Sequence, residues 1–247
     1  MGEETRGFQG YSKRGVPAPD DELTRVGPNT PAGEWLRRSW QPVALSSDLA
    51  DLPVALDILG EELVLFRDKA GRTGLLNRHC SHRGASLEYG IVMERGIGCC
   101  YRRWHYDIDG TLIATPAEPS GRIRDRVVHG AYPTQEYEGL VFAYLGPSAA
   151  MPRFPRFDTQ AIEGTLAVPF ALEAPCKWLQ VYENTQDPVH VVYLHTRMIG
   201  PQFGAAAGAD ELSEFGAIVV DSLIETAGQS AQCRRARLER LLAERHR

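Results

Sequence analysis

Apolar and polar positions alternate in short runs between Trp40 and Leu145, and turn residues separate the runs. Val54–Ile58 and Glu62–Phe66 flank Gly60 and predict a hairpin, and Lys69–Gly71 marks the next turn before Leu75 and Leu76. Trp104–Asp107 and Thr111–Ala114 flank Asp109-Gly110, a pair that tolerates the positive backbone angles of a tight turn. Glu138–Leu145 (EGLVFAYL) reads as a closing strand ended by Gly146-Pro147. These runs predict a small all-β domain. Beyond it the period changes. MPRFPRF (151–157) is a Pro-punctuated linker, Thr165–Ala171 is strand-like, and Lys177–Leu194 carries Trp178, Val181 and Tyr182 at helical spacing. Residues 1–30 are polar and rich in Gly and Pro, as a flexible arm or a segment draped on the surface would be. Residues 204–231 are rich in Ala and Gly, and the last fifteen residues, with six arginines, predict a solvated basic helix. The organisation expected is an arm over 1–34, a β domain over 35–146 and a second region over 147–247.

Composition narrows the class without naming a function. At 247 residues, 43% hydrophobic and 24% charged, the chain is an ordinary globular sequence with room for one large core or two small ones. A net charge of −5 argues against a general nucleic-acid or membrane-surface binder. No apolar run approaches the ~20 residues of a membrane span, and MGEETRGFQGYSKRG lacks the apolar stretch of a secretion signal. The five cysteines include adjacent Cys99 and Cys100 and show no disulfide-framework spacing. The expectation is a reducing, cytoplasmic setting in which cysteine beside histidine means metal chemistry.

That chemistry has a pattern. Cys80-x-His82, sixteen further residues and then Cys99 give two loops separated as in a site where thiolates hold one iron and imidazoles the other. A tetrahedral zinc site from Cys80, His82, Cys99 and Cys100 is an alternative. Arg83-Gly84 follows the first loop, and Trp104-x-Tyr106-Asp107-x-Asp109-Gly110 follows the second. With these flanks, residues 35–146 resemble the Rieske domain of ring-hydroxylating and related oxygenases. The resemblance implies a [2Fe–2S] cluster on Cys80, His82, Cys99 and a fourth ligand at the position of Arg102. There the family has a histidine followed by Gly, and this chain has Arg102-Arg103. A guanidinium has donors and no lone pair for iron. His105 is expected to point away from the site on a regular strand, and His79 to be a surface or supporting residue.

A second constellation follows in Glu183-Asn184-x-x-Asp187-Pro188-x-His190-x-x-x-x-His195. Two histidines and a carboxylate on one face hold Fe(II) in non-haem oxygenases and leave positions open for O₂. Five residues apart, His190 and His195 lie ~140° around an ideal helix. Sharing one metal needs a helix end between them, and Pro188 is a cause for one. The segment resembles the iron-binding helix of the same oxygenases, which implies His190 and His195 as iron ligands. It also implies Asp187 as the acid linking a Rieske histidine of one subunit to the iron of its neighbour in a ring-shaped trimer. The third iron ligand comes from far downstream in the family, and Asp210, Glu211, Glu214, Asp221 and Glu225 read as surface acids. The resemblance fades near Gly204, and a truncated frame is the expectation.

The fold class expected is mainly β / α+β, a Rieske [2Fe–2S] antiparallel β domain before a partial, helix-grip-like α+β catalytic domain. The function implied is that of an oxygenase component. Electrons from NAD(P)H would arrive through a reductase or ferredoxin, and O₂ would hydroxylate or demethylate an aromatic or other small organic substrate. The assembly implied is a homotrimer or a hetero-oligomer with a related chain. A non-catalytic or decayed partner subunit is the alternative, and Arg102 favours it.

Overall fold

The computed structural model describes residues 18–118, 120–156, 164 and 166–187. Residues to Glu173 form one compact unit, and those from Ala174 a second.

The first unit is built around a run with no polar break. Leu63-Val64-Leu65-Phe66 alternates its side chains between two faces, so the strand needs cover on both. It is the middle of β3 (Glu61–Arg67), which pairs antiparallel with β2 (Val54–Ile58) and β4 (Thr73–Asn77); β9 (Ala131–Tyr132) completes the order β2-β3-β4-β9. One face of this sheet carries Leu63, Leu65 and Leu75. They pack with Val141 and Ala143 from a second sheet, in which β11 (Leu140–Tyr144) lies between β1 (Trp40–Leu45) and β10 (Thr134–Tyr137). The other face carries Val64, Phe66 and Leu76, packed with Leu87, Ile97, Trp104, Tyr106 and Leu112. Those residues belong to or adjoin a third sheet of β5 (Ile91–Val92), β6 (Ile97–Gly98), β7 (His105–Tyr106) and β8 (Leu112–Ala114). All four residues of the run are fully buried, each stabilising the fold by roughly 1.5–3 kcal/mol relative to exposure.

A buried ion network fastens the third sheet to the central one. Asp68, in the β3–β4 turn, accepts from the Gly96 N–H (3.1 Å) and from the Arg72 backbone and guanidinium. Arg72 continues to Asp107 (2.9 Å), which also accepts from Arg95 Nε (2.7 Å). Burial pushes both carboxyls up. The hydrogen bonds from Arg72 and Gly96 to Asp68, and from Arg95, the Ile108 N–H and Arg72 to Asp107, outweigh that and leave both below the ordinary carboxylate value.

Several boundaries differ from the sequence reading. Glu138 and Gly139 are not in the closing strand: both have positive φ (48° and 74°) and form the two-residue turn between β10 and β11. Such a turn needs the left-handed region at both positions. The Pro-punctuated segment is tied down as far as it is described. Phe154 sits edge-on to Trp40, Tyr137 and Phe142 at 5.1–5.6 Å between ring centroids, and Trp40 Nε1 donates to the Pro152 carbonyl (3.1 Å). Over 166–171, the expected strand has no ladder partner, and Leu166, Val168 and Phe170 are exposed. Before β1, α1 (Asp21–Thr24) and α2 (Pro31–Leu36) are short capped helices. The Thr30 hydroxyl accepts from the Gly33 N–H, and buried Arg37 ties α2 to Glu61 (2.7 Å). The Arg-rich tail lies outside the described residues. Among those described, no helix is long and apolar enough to cross a membrane.

Candidate metal centre

Two loops carry the sequence-predicted ligands. The first follows β4 and is closed by backbone bonds from Cys80 N–H to Ala85 C=O and from Gly84 N–H to Cys80 C=O (both 2.9 Å). The second joins β6 to β7, closed from Cys99 N–H to Trp104 C=O and from Arg103 N–H to Cys99 C=O (both 2.8 Å). Each tight turn has one residue in the left-handed region, Gly84 (φ 68°) in the first and Arg103 (φ 53°) in the second. The first site has the residue that this geometry favours. At the second, where the resembled family has glycine, an arginine bears a strain of roughly 1–2 kcal/mol.

The two cysteines come together at the base of these loops. Cys80 and Cys99 are 3% and 2% exposed. Burial raises the Cys80 thiol pKa, and the adjacent Cys99 thiol adds to the rise. The Tyr106 hydroxyl, 3.1 Å from Sγ, and the His82 backbone N–H oppose it. Tyr106 is fully buried, and burial first, with Cys80 beside it, pushes its phenol well above the ordinary value. It therefore stays protonated and can donate to the sulfur. His82 is partly exposed and stacks on Trp104 at 4.7 Å between centroids. Burial lowers its pKa, as do the charges of Arg102 and Arg83, so the ring is held neutral, the form that can ligate.

The other predicted residues fall into place around this pair. Arg102 is exposed, close enough to His82 for its charge to act there, and lies 5.7 Å from the Tyr101 ring centroid. It brings no lone pair to the fourth ligand position. His105 is engaged with the Arg95 carbonyl, and His79 bridges Glu62 (3.3 Å) and the Gly84 carbonyl (3.2 Å). Cys100 is exposed. Among the described residues no three His, Cys, Asp or Glu side chains converge as a single-ion site. For two irons the demand differs: two thiolates serve one, imidazole the other. Cys80, Cys99 and His82 fit three of those places and Arg102 does not fit the fourth.

In the second unit, α3 (Trp178–Gln186) begins with the Lys177 N–H donating to Gln180 Oε1 (3.1 Å) and stacks Trp178 near Tyr182 one turn on. It ends at Asp187, whose extended backbone (φ −92°, ψ 99°) is what a following proline imposes. His190 and His195 lie outside the described residues. The sequence reading missed His129, a buried ring in the connection before β9 that reaches the first loop. A lone histidine ahead of Gly130 carries no motif that would have marked it.

Residues 39–138 match the family model of the Rieske [2Fe-2S] domain. The chain is 52% identical over 196 residues to the oxygenase subunit of tert-butanol monooxygenase / tert-amyl alcohol desaturase of Aquincola tertiaricarbonis, covering 77% of this chain and 42% of that one. The alpha subunit of phenoxybenzoate dioxygenase of Ectopseudomonas oleovorans is 48% identical over 201 residues (75% and 49%). The oxygenase subunit of a 5,5'-dehydrodivanillate O-demethylase from a Sphingobium species is 40% identical over 183 (71% and 42%). Among solved structures, an oxygenase–ferredoxin complex of carbazole 1,9a-dioxygenase matches with TM-score 0.53 and 29% identity over 66% of this chain and 43% of that one. The domain is of the Rieske class. The chain is similar over about three quarters of its length to oxygenase subunits of Rieske non-haem iron oxygenases, and it spans less than half the length of these curated relatives.

Proposed function

We propose that this chain works as an oxygenase component. It takes electrons that originate in NAD(P)H from a reductase or ferredoxin, for O₂-dependent hydroxylation or demethylation of an aromatic or other small organic compound. The observation that carries the proposal is the meeting of buried Cys80 and Cys99 beside His82 and Trp104, on two loops each closed by a pair of backbone hydrogen bonds. A bound [2Fe–2S] cluster supplies one-electron transfer at a potential raised by imidazole ligation. Cys80 and Cys99 would hold one iron and His82 the other. Tyr106 donates to the Cys80 sulfur, and Trp104 fixes the plane of His82. Arg83, Arg102 and Arg103 are exposed on the two ligand loops, a charge suited to an acidic electron carrier.

For the iron site the proposal assigns His190 and His195 to Fe(II) and Asp187 to the coupling between centres. What supports it is the pattern Glu183-Asn184-x-x-Asp187-Pro188-x-His190-x-x-x-x-His195 itself, whose first residues lie on α3 and whose Asp187 is the C-cap of that helix. The oxygenase–ferredoxin complex among similar structures supports a ferredoxin-type donor. A homotrimer, or a hetero-oligomer with a related chain, is proposed for the assembly, and the cytoplasm for its place. A second reading, a non-catalytic or decayed partner subunit, is favoured by Arg102 at the fourth ligand position. The test is NADH-dependent O₂ uptake with a reductase and ferredoxin, for the chain alone and mixed with a full-length relative. Uptake by the chain alone supports the first reading. Uptake only in the mixture, with both chains in one complex, supports the second, and neither uptake nor association overturns both.

A further inference from the structure

His129 is buried beside the first ligand loop without being one of the predicted ligands. Its Nε2 lies 2.8 Å from the Asn77 carbonyl, its Nδ1 lies 2.8 Å from Ser81 Oγ, and its ring stacks on Tyr106 at 4.4 Å between centroids. Ser81 stands between Cys80 and His82, and Tyr106 touches the Cys80 sulfur. One ring thus bears on both groups that flank Cys80. The backbone is shaped to bring it there. His129 N–H donates to the Gly110 carbonyl (3.1 Å), and Asn77 N–H to the Gly130 carbonyl (2.9 Å). A side chain at Gly110 would overlap the His129 carbonyl, and one at Gly130 would overlap Asn77.

The partners fix where the protons sit. A carbonyl only accepts, so Nε2 carries hydrogen and donates to Asn77. Burial lowers the pKa of the ring, against the opposing Asn77 bond, and keeps it neutral. Nδ1 is then an acceptor, and the Ser81 hydroxyl donates to it. The Ser81 backbone N–H and hydroxyl also face the Tyr106 oxygen, which leaves the Tyr106 O–H for Cys80 Sγ.

We propose that His129 is a positioning residue for Cys80: it anchors the first ligand loop through Ser81 and orders the hydrogen bonds so that Tyr106 donates to the sulfur. The inference rests on the Rieske reading only for what Cys80 afterwards binds. Hydrogen bonds to cluster sulfurs set potential, so in a loaded protein the same ring acts on redox poise without touching iron.

The test uses the full chain, metal-free, reduced and in chelator. Long-range ¹⁵N–¹H correlation, with His129 assigned by its loss in His129→Gln, is expected to show the Nε2–H tautomer. An Nδ1–H tautomer or an imidazolium at neutral pH overturns the proposal. Timed alkylation with peptide mapping then compares cysteines within one sample. His129→Phe keeps a flat ring on Tyr106 and drops both hydrogen bonds, and Cys80 should alkylate at least about fivefold faster while Cys99 does not change. Ser81→Ala should act in the same direction and keeps the test available where His129→Phe does not fold. His129→Gln, whose amide both donates and accepts, should return Cys80 to within about twofold of the parent. An unchanged Cys80, or Cys80 and Cys99 accelerating together, overturns the proposal. Iron and sulfide uptake is read separately: a chain that takes up neither and passes these tests keeps this inference and loses the Rieske reading.

Discussion

At the scale of single residues, the left-handed positions separate strain from collision. A methyl group at Gly84 meets nothing within 4 Å, so Gly84→Ala tests the backbone angle alone and should cost about 1–2 kcal/mol by denaturant unfolding. Gly96 has a similar φ of 72°, but a methyl there would overlap the Tyr106 carbonyl. Gly96→Ala should therefore cost clearly more; equal costs would show that the backbone yields. Arg103→Gly should be neutral or stabilising by up to about 1 kcal/mol, because relief of strain is partly offset by the freer unfolded chain. A loss above that would mean that Arg103 makes a contact the fold needs. Cys80, His82 and Cys99 were legible as residues because their spacing and flanks are specific. The angle at Arg103 was not, since no single-residue pattern calls for a left-handed arginine.

Between elements, the ion network and the two-faced strand decide how the ligand loops are carried. Asp107 holds Arg72 and Arg95 across the junction between the β3–β4 turn and the small sheet, so Asp107→Asn should cost about 1–3 kcal/mol. Because the folded carboxyls of Asp68 and Asp107 titrate below the unfolded value, their stabilisation is complete above about pH 4 and is lost as pH falls through the folded values. Thermal unfolding followed from pH 6 to pH 3 should show that loss, and Asp107→Asn should flatten it; an unchanged slope would remove Asp107 from the account. Phe66→Ala, which empties the face of β3 toward the ligand loops, should cost about 3–5 kcal/mol in the same assay. Alternation and turn residues made the hairpins readable: the Val54–Ile58 strand and the turns at Gly60 and Asp109-Gly110 lie where the pattern puts them. Glu138 was drawn into a strand because its turn is encoded in backbone angles rather than residue type. The docking of Phe154 was invisible for another reason. An aromatic cage made of Trp40, Tyr137 and Phe142 is a long-range contact, and prolines nearby look like a tether.

Taken whole, the molecule joins a Rieske fold to a proposed ligand set in which Arg102 stands where the resembled family has a histidine. Burial of the cysteine pair, a neutral His82 and the Tyr106 hydroxyl at 3.1 Å from the Cys80 sulfur all point to iron–sulfur chemistry, and the guanidinium of Arg102 opposes it at one place. The strand expected at 165–171 lacks a partner among the described residues. Sequence periodicity can announce a strand, but only a neighbouring strand can form the ladder. The most direct test of Cys80, His82 and Cys99 as cluster ligands is low-temperature EPR of the dithionite-reduced chain, purified anaerobically, beside Arg102→His, with iron and acid-labile sulfide counted in both. A Rieske-type signal with matching iron and sulfide is expected in Arg102→His, and a signal in the parent that is absent or many-fold weaker. No signal in either protein would contradict the assignment of Cys80, His82 and Cys99 as cluster ligands, and equal signals in both would contradict the role given to Arg102.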